Sequence, residues 1–508
     1  MFVDARSVDD GRVFESDVCI VGAGAAGITL ALELAKAKVD VTLVESGDFQ
    51  LEAATQKLYE GRVIDGDYPP IQLSRLRYLG GTTNHWGGAC VPLDPFEFEA
   101  HSWLPHSGWP IGRADLDPYY ERARAVIGLP RPDFRFDPAE EGAAQDPPLL
   151  GAENRDYETV IWRRPQPEPT RMGKKYRETI RSHPRIRCVL NANAIELVPG
   201  ESGRAITALT ARTLTGRELR FEARRFAICM GGIENARLLL ASDTRIRGGI
   251  GNQNDRVGRY FADHGFRMMG KIHVTQQPAP SWFREERFWL SDPGPNATPD
   301  LVGFATRPSF RARRKLLGFS VIGHVDSGEW DDYRSEIGVQ ELAAASQGSG
   351  EAGKRERRVI RLYFVAEKAP NPDSRITLQP ERDAVGMRKV ALDLNLQERD
   401  WESVNENVRL LSTAVARSGV GRIRIVDPEG LPWCEGTGAH QTGTTRMSDD
   451  PKQGVTDRNG KVHGVENLYL CGGSLFPTAG WQHPTLTIFA LSLRLADHLA
   501  GAGGAPAA

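Results

Sequence analysis

The chain has 508 residues, more than one hydrophobic core usually organises, so we expect roughly two or three domains. Its 64 basic and 66 acidic residues nearly balance, which gives no support for nucleic acid or an anionic membrane as a partner, since both select a basic surface. No apolar run approaches the length of a membrane span and the N-terminus is polar and acidic, so we expect a cytoplasmic protein without direct membrane insertion.

The first predicted elements are a strand, a glycine turn and a helix. Asp17–Val21 predicts a buried strand, the sequence GAGAAG follows at once, and Ile28–Lys38 is rich in helix formers. In such a turn Gly22 permits the bend, Gly24 lets the backbone approach a pyrophosphate, and Gly27 lets the helix pack on the strand. The pattern predicts a dinucleotide site whose phosphates meet the N-terminus of the helix.

A second predicted strand, Val41–Val44, ends at Glu45. An acidic residue at about this spacing holds the ribose hydroxyls of a bound dinucleotide. Because a carboxylate repels a 2′-phosphate, the cofactor is expected to be FAD or NAD rather than NADP.

Strand and helix patterns return later in the chain. They lie at Arg187–Leu197, at Arg225–Leu240 and at Asn467–Leu470, and Pro484–Leu499 predicts a long apolar helix. We expect these separated segments to build one doubly wound α/β sheet. The predicted cofactor domain therefore comprises residues 1–90, 186–265 and 431–500.

The intervening residues 91–185 and 266–430 have a different texture. Proline-rich loops precede alternating strands such as Val359–Phe364 and Arg375–Leu378, which predicts a second, sheet-based α+β domain. Residues 327–358 are polar and rich in small side chains, and we expect a mobile insertion there, either a disordered segment, which we favour, or a lid. Residues 501–508 predict a disordered tail.

The cysteines and the histidines indicate different things. The six cysteines are scattered without a CxxC pair, which predicts reduced, buried thiols, and no His, Cys and carboxylate residues show metal-ligand spacing.

His440 and His483 lie in the polar, turn-prone sequences GAHQTGTTRM and GWQHPTLTIFAL. Imidazole can take a hydroxyl proton near neutral pH, so a dinucleotide with two such histidines indicates redox chemistry on an alcohol.

A series of motifs, taken in order, resembles the glucose–methanol–choline (GMC) oxidoreductases from about residue 14 to residue 499. The motifs are GAGAAG with Glu45, YLGGTTNHWGG at 78–88, MGGIENARLLL at 230–240, VGRYFADH at 257–264, and the C-terminal histidines. The sequences GGTTNHW and HPTLT are most similar to the sugar-oxidising branch, which includes pyranose oxidases and the flavin subunits of sugar dehydrogenases. The resemblance implies an FAD enzyme that oxidises a secondary alcohol, at C2 or C3 of a pyranose or glycoside, to a ketone.

The resemblance also implies roles for individual residues. His440 matches the principal catalytic histidine and would accept the hydroxyl proton, with His483 as its partner. His85 corresponds to a histidine that is joined covalently to the flavin in pyranose oxidases, but Asn84 differs from the residue found there, so covalent and noncovalent FAD both stay open. The expected cofactor-binding residues are Gly22, Gly24, Ala25, Ala26, Gly27, Glu45, Gly80, Gly81, Thr82, Thr83, Asn84, His85, Ala194, Gly231, Gly473, Ser474, Pro484 and Thr485. The expected substrate-binding residues are Trp481, Gln482, Glu367 and Asn371, with a turn before a strand as the alternative for Asn371.

Other functions stay open at this stage. The same scaffold can host a lyase in which FAD is structural, and the chain can be the flavin subunit of a cytochrome-linked dehydrogenase. The electron acceptor can be oxygen, an artificial dye or a protein, and a homo-oligomer is compatible with the sequence.

Overall fold

The computed structural model describes residues 1–64, 68–129, 133–134, 150, 154–165, 169–274, 300–325, 359–425, 433–434 and 439–501. The predicted insertion at 327–358 lies outside these ranges, and so do residues 502–508 of the predicted tail. Gly501, which we assigned to that tail, instead closes the last helix.

The strands, in chain order, are β1 (Phe2–Asp4), β2 (Arg12–Val21), β3 (Val41–Val44), β4 (Gly61–Val63), β5 (Tyr157–Trp162), β6 (Ile186–Leu190), β7 (Asn193–Pro199), β8 (Ile206–Arg212), β9 (Glu218–Ile228), β10 (Gly265–Val274), β11 (Leu301–Thr306), β12 (Phe319–Val325), β13 (Val359–Ala366), β14 (Arg375–Arg382), β15 (Arg388–Asp393), β16 (Gly421–Ile425) and β17 (Leu468–Leu470). The helices are α1 (Ala25–Lys36), α2 (Ala53–Gln56), α3 (Pro95–Phe98), α4 (Asp117–Ile127), α5 (Met172–Lys175), α6 (Arg177–Ser182), α7 (Gly231–Ala241), α8 (Pro308–Arg314), α9 (Glu398–Ser418) and α10 (Thr485–Gly501).

The central sheet carries the first glycine turn. In the described residues its strand order is β1-β6-β3-β2-β9-β8-β7, and β17 pairs with β9. Six of these strands run parallel to one another, namely β1, β6, β3, β2, β9 and β17. Strand β8 pairs antiparallel with β9, and β7 pairs antiparallel with β8. Val18–Val21 is buried, as expected for a parallel strand covered by helices, and α1 packs on α10. Separated segments of the chain thus build one doubly wound α/β sheet.

The second sheet is antiparallel over the described residues, in the order β16-β10-β13-β12-β11-β5. Aromatic and branched side chains such as Ile272, Phe319 and Phe364 form its core. Strands β14, β15 and β4 form a smaller sheet. Strand β4 thus pairs with β15, although we assigned residues 61–63 to the cofactor domain and β15 to the second domain. The domain boundaries stay a proposal.

Helix α9 was not predicted from the sequence. Its buried residues Val404, Val408, Leu411 and Val415 recur at helical spacing, and they cover one face of the second sheet next to β16. The Asp400 carboxylate accepts a hydrogen bond from the Gln397 amide and fixes the start of the helix. No helix in the described part of the chain is both long and apolar enough to cross a membrane.

A buried arginine joins α7 to the turn between β14 and β15. Arg237 is 1% exposed; its guanidinium lies 2.7 Å from an Asp383 oxygen and 3.3 Å from a Glu234 oxygen. The same guanidinium donates hydrogen bonds to the carbonyls of Leu58 and Arg388 at 3.0 and 2.9 Å. The buried Asp383 carboxylate therefore relies on Arg237 for charge compensation, whereas Glu234 also pairs with Arg75 at 2.9 Å.

We expect Arg237→Met to lower the free energy of unfolding by about 3–5 kcal/mol, because two buried carboxylates lose a partner. Urea unfolding measures the change. The control is Arg181→Met, because Arg181 is 53% exposed and lies 3.5 Å from Glu178; its loss is expected to cost less than about 1 kcal/mol. Equal, small effects of the two substitutions would contradict the assignment.

Candidate active site

A cavity of about 500 Å³ opens where the parallel strands end. Val21 of β2, Val44 of β3 and Cys229, which follows β9, line it together with Gly22 and Glu45. Ligands of doubly wound sheets bind in this crevice, outside the carboxyl ends of the strands. The volume lies in the range of cofactor and ligand sites.

The glycine turn forms one wall of the cavity. Gly22 has a φ of +96°, and a Cβ there would lie 2.9 Å from the Cys229 carbonyl oxygen. A Cβ at Gly27 would lie 1.8 Å from the Gly22 carbonyl oxygen, so this glycine is required by the packing of α1 on the turn. A Cβ at Gly24 would meet no protein atom within 4 Å. Because Gly24, Ala25 and Ala26 line the cavity, the free space at Gly24 belongs to a ligand.

Glu45 lies at the end of β3 with its carboxylate held in place. One oxygen accepts a hydrogen bond from the Ala23 amide and the other from the Gly47 amide, each at 2.8 Å. The side chain is 5% exposed and lines the cavity beside the glycine turn. This position suits the predicted contact with a ribose.

The loop at 80–88 borders the cavity through a short 3₁₀ helix at Gly81–Asn84. Gly81, Thr82, Thr83 and His85 line the cavity. The exposed His85 ring lies with Nε2 2.9 Å from the Tyr78 hydroxyl, which leaves both modes of FAD attachment open.

Gly80 and Asn84, which we predicted to bind the cofactor, do not themselves line the cavity. The Gly80 amide donates a hydrogen bond to the Ala23 carbonyl, and the Asn84 amide group donates one to the Leu79 carbonyl, each at 2.8 Å. The first contact holds the loop against the glycine turn, and the second lies within the loop.

The remaining predicted cofactor positions come from distant parts of the chain. Ala194, Gly231, Gly473, Pro484 and Thr485 line the cavity, the last two at the start of α10. Ser474, also a predicted cofactor-binding residue, is not among the residues that line the cavity. Its hydroxyl accepts a hydrogen bond of 2.8 Å from the Asn235 side chain within the protein interior.

His440 and His483 line the same cavity as the glycine turn, and their ring centroids lie 4.7 Å apart. The sequence did not assign a role to a third histidine, His264, whose Nδ1 lies 2.8 Å from Nδ1 of His440. The signal was present, because His264 ends the motif VGRYFADH that supported the family resemblance.

A hydrogen-bond network holds the backbone of His440. One carboxylate oxygen of Asp263 accepts a hydrogen bond from the His440 amide at 2.9 Å, and the other accepts one from the Tyr68 hydroxyl at 2.6 Å. The Gln441 side chain donates to the Tyr68 oxygen at 3.0 Å and to the Ser74 hydroxyl at 2.6 Å. The position of the histidine is therefore set by a network that joins three separate loops.

Burial keeps the histidines neutral. It lowers the pKa of His264 to about 3 and that of His483 to about 4, and it lowers the pKa of His440 well below its usual range, with the neighbouring imidazoles adding to the effect. Burial also raises the pKa of Asp263 to about 6, against the hydrogen bonds that it accepts. A neutral imidazole can accept a proton, which is the form that oxidation of an alcohol requires.

The His483 ring offers a free atom to a ligand. Its Nε2 is buried and has no hydrogen-bond partner in the described part of the chain. An unsatisfied buried nitrogen is rare and costly, and this one belongs to a residue that lines the cavity. The Trp162 ring lies beside the imidazole, with the centroids 6.0 Å apart.

None of the four predicted substrate-binding residues lines the cavity. Glu367 pairs with Arg311 at 3.0 Å and accepts hydrogen bonds from the amides of Gly318 and Gly480. Asn371 forms the turn that we held as its alternative, since its side-chain oxygen accepts the Asp373 amide.

The other two predicted substrate residues, Trp481 and Gln482, do not line the cavity either. Trp481 packs edge-on against Trp162, with the ring centroids 5.6 Å apart, and Gln482 is 1% exposed. The side chains that line the cavity in their place are Phe266 and Ile322 of the second sheet and Trp86. Sequence alone could not identify Phe266 and Ile322, because they look like ordinary core positions.

Known proteins resemble this chain over nearly its whole length. A family profile described as GMC oxidoreductase matches residues 370–492, and one described as FAD dependent oxidoreductase matches residues 17–239. Paromamine 6'-oxidase of Streptomyces fradiae is 26% identical over 547 aligned residues, covering 97% of this chain and 92% of the relative. The large subunit of fructose dehydrogenase of Gluconobacter japonicus is 24% identical, covering 96% and 98%.

The chain is similar to the GMC oxidoreductases, whose family profile matches its residues 370–492. A solved formate oxidase variant of Aspergillus oryzae shares the fold, with a TM-score of 0.58, 18% identity, and coverage of 98% of this chain and 99% of that one. The protein is thus an FAD-dependent oxidoreductase with a doubly wound α/β cofactor domain.

The residues that line this cavity fit FAD. At Gly24, Gly231 and Gly472, which all line the cavity, an added Cβ would meet no protein atom within 4 Å, so the backbone is bare where a cofactor would lie against it. The N-terminus of α1, Glu45 and the histidines His440 and His483 all line this cavity. No cluster of possible metal ligands occurs among the residues that the structure describes.

Two glycine substitutions separate cofactor binding from folding. We expect Gly24→Ala to leave the thermal midpoint of the apoprotein unchanged but to weaken FAD binding, because the new methyl group occupies the cofactor's space. Gly27→Ala is expected to lower the thermal midpoint of the apoprotein itself, because its methyl group overlaps the Gly22 backbone. Differential scanning fluorimetry and FAD titration measure the two effects. Unchanged FAD affinity in Gly24→Ala would contradict the placement of the cofactor.

Proposed function

We propose that this protein oxidises a hydroxyl group of a sugar or glycoside, with FAD accepting the hydride and His440 the proton. The observation that carries the proposal is that one cavity is lined both by the glycine turn and by His440 and His483. The buried, unpartnered Nε2 of His483 adds a polar atom that a substrate hydroxyl would satisfy.

The chain's own residues supply the proton chemistry. Loss of hydride from a carbinol carbon is easier if the hydroxyl proton leaves at the same time, and FAD supplies the hydride acceptor when bound. His440 would take the hydroxyl proton, while His483 would hold the same oxygen and orient the carbon toward the cofactor. The C–H and O–H bonds break, and the alcohol becomes a carbonyl compound.

The sugar class rests on relatives. The names of paromamine 6'-oxidase and of the fructose dehydrogenase large subunit both specify sugar-based compounds. From the motifs GGTTNHW and HPTLT we propose oxidation at C2 or C3 of a pyranose to a ketone. The 6' position in the name of the first relative makes a primary sugar alcohol the alternative, and analysis of the product as a ketone or an aldehyde separates the two.

The electron acceptor and the location are part of the same proposal. One relative is named an oxidase and the other a subunit of a dehydrogenase, so oxygen, a dye or a protein partner remains a candidate acceptor. Oxygen consumption compared with dye reduction decides among them. The six cysteines are buried thiols, which supports the proposed cytoplasmic location.

An anaerobic screen tests the proposed function. The holoenzyme is mixed with monosaccharides, O- and C-glycosides and aliphatic alcohols, and the flavin absorbance is followed. Bleaching by a sugar or glycoside is expected. Bleaching only by simple alcohols would overturn the sugar class, and turnover with a permanently oxidised flavin would show the lyase reaction that the same scaffold can host.

We expect His440→Ala to abolish flavin bleaching by substrate while FAD remains bound, because the proton acceptor is lost. Stopped-flow absorbance measures the rate, and the FAD-to-protein ratio checks binding. His463→Ala is the matched control, because the His463 ring bonds the Ser448 carbonyl outside the cavity. Bleaching of His440→Ala at the wild-type rate would show that another group is the base.

The low pKa of His440 predicts the pH dependence of flavin reduction. Burial lowers this pKa, so the ring stays neutral, and able to accept a proton, at pH values where an exposed imidazole is already charged. The rate at low substrate concentration should therefore stay constant from about pH 8 to about pH 6.

A second group in that range needs a control. Burial raises the pKa of Asp263 to about 6, and Asp263→Asn removes this carboxyl while keeping an oxygen for the His440 amide. A fall in rate that persists in Asp263→Asn, with an apparent pKa of about 6.5, would contradict the buried, neutral His440.

A further inference from the structure

His264 contacts His440 but does not line the cavity. It is 1% exposed, and both of its ring nitrogens are engaged. Its Nε2 lies 2.8 Å from the Gly480 carbonyl oxygen, and its Nδ1 lies 2.8 Å from Nδ1 of His440. These two contacts determine where the protons are.

The position of each proton follows from the carbonyl. A carbonyl oxygen can only accept a hydrogen bond, so Nε2 of His264 carries a proton. The neutral ring has one proton, so Nδ1 of His264 is an acceptor, and Nδ1 of His440 must donate to it. Nε2 of His440 is then the unprotonated nitrogen.

We infer that His264 is a positioning residue that fixes His440 in the tautomer with its proton on Nδ1, leaving Nε2 to accept the substrate proton. The inference deepens the proposed function and rests on it for the identity of the base. The competing arrangement needs a charged His264 that donates from both nitrogens, and burial disfavours that charge.

The Gly480 carbonyl is itself held in position. Gly480 has a φ of +60°, and its amide donates a hydrogen bond of 3.2 Å to the Glu367 carboxylate. A Cβ at this glycine would lie 2.6 Å from the Glu97 carboxyl carbon, so a side chain is excluded. Arg311 lies between Glu97 and Glu367 and forms ion pairs with both. Glu367 therefore acts through Gly480 on His264, rather than on a substrate.

Nitrogen NMR of the holoenzyme tests the inference without any substrate. The enzyme is labelled with ¹⁵N-histidine, and the His440 signals are assigned by their loss in His440→Gln. We expect the wild-type spectrum to show His440 with a protonated Nδ1 and an unprotonated Nε2. In His264→Ala the proton should move, wholly or in part, to Nε2, because its acceptor is gone.

His264→Asn is the matched variant, because its side-chain oxygen can accept the proton of Nδ1 and should restore the wild-type tautomer. The rate of flavin reduction should fall about 100-fold in His264→Ala, recover in part in His264→Asn, and change little in substrate affinity. The FAD-to-protein ratio and the flavin spectrum confirm that each variant is folded.

Two results would overturn the inference. A wild-type His440 with its proton on Nε2 would do so even if the variants did not fold. An unchanged His440 tautomer in folded His264→Ala would do so as well. Neither result depends on bleaching, so a failed substrate screen would count against the proposed function and not against the tautomer.

Discussion

The close approach of two chain turns at the ends of β2 and β9 is the constraint on which the rest of the site depends. The turn at Gly22 lies so close to Cys229 that a Cβ at Gly22 would be 2.9 Å from the Cys229 carbonyl oxygen. The tight turn at the end of β2 leads directly into α1, so the N-terminus of α1 faces the crevice in which a cofactor binds. Because α10 also begins at that crevice, the position of His483 depends on the same sheet.

The second constraint is the removal of the histidines from water. Burial keeps His264, His440 and His483 neutral. Hydrogen bonds to a neutral imidazole then determine which of its two nitrogens carries the proton. The chain supplies a carbonyl for His264 and a carboxylate for the His440 amide. The buried Nε2 of His483 has no partner in the described residues, and this histidine lines the cavity.

Local patterns predicted the parts of the site that lie close together in sequence. The strand Val41–Val44 has the predicted bounds, and the glycine turn follows a strand and opens a helix because its neighbours require that backbone. The two catalytic candidates share one cavity although 43 residues, from 440 to 483, separate them, and family motifs rather than periodicity indicated that.

Contacts between distant segments were beyond sequence reasoning. Glu367 was predicted to bind substrate, but it does not line the cavity, and it pairs with Arg311, which lies 56 residues away in the sequence. Gly80 and Asn84 belong to the motif that borders the cavity, yet only the folded loop shows which of its residues face inward. His264 gained its role from a histidine 176 residues later in the chain.

Chemical rescue of His440→Ala by imidazole tests the central claim most directly. The variant is mixed anaerobically with the alcohol that bleaches the wild-type flavin fastest, and imidazole is added over a range of concentrations. The account predicts that bleaching returns at a rate that rises with the concentration of neutral imidazole, while the wild-type rate does not change. Wild-type bleaching in the variant without imidazole would contradict the claim that His440 accepts the substrate proton.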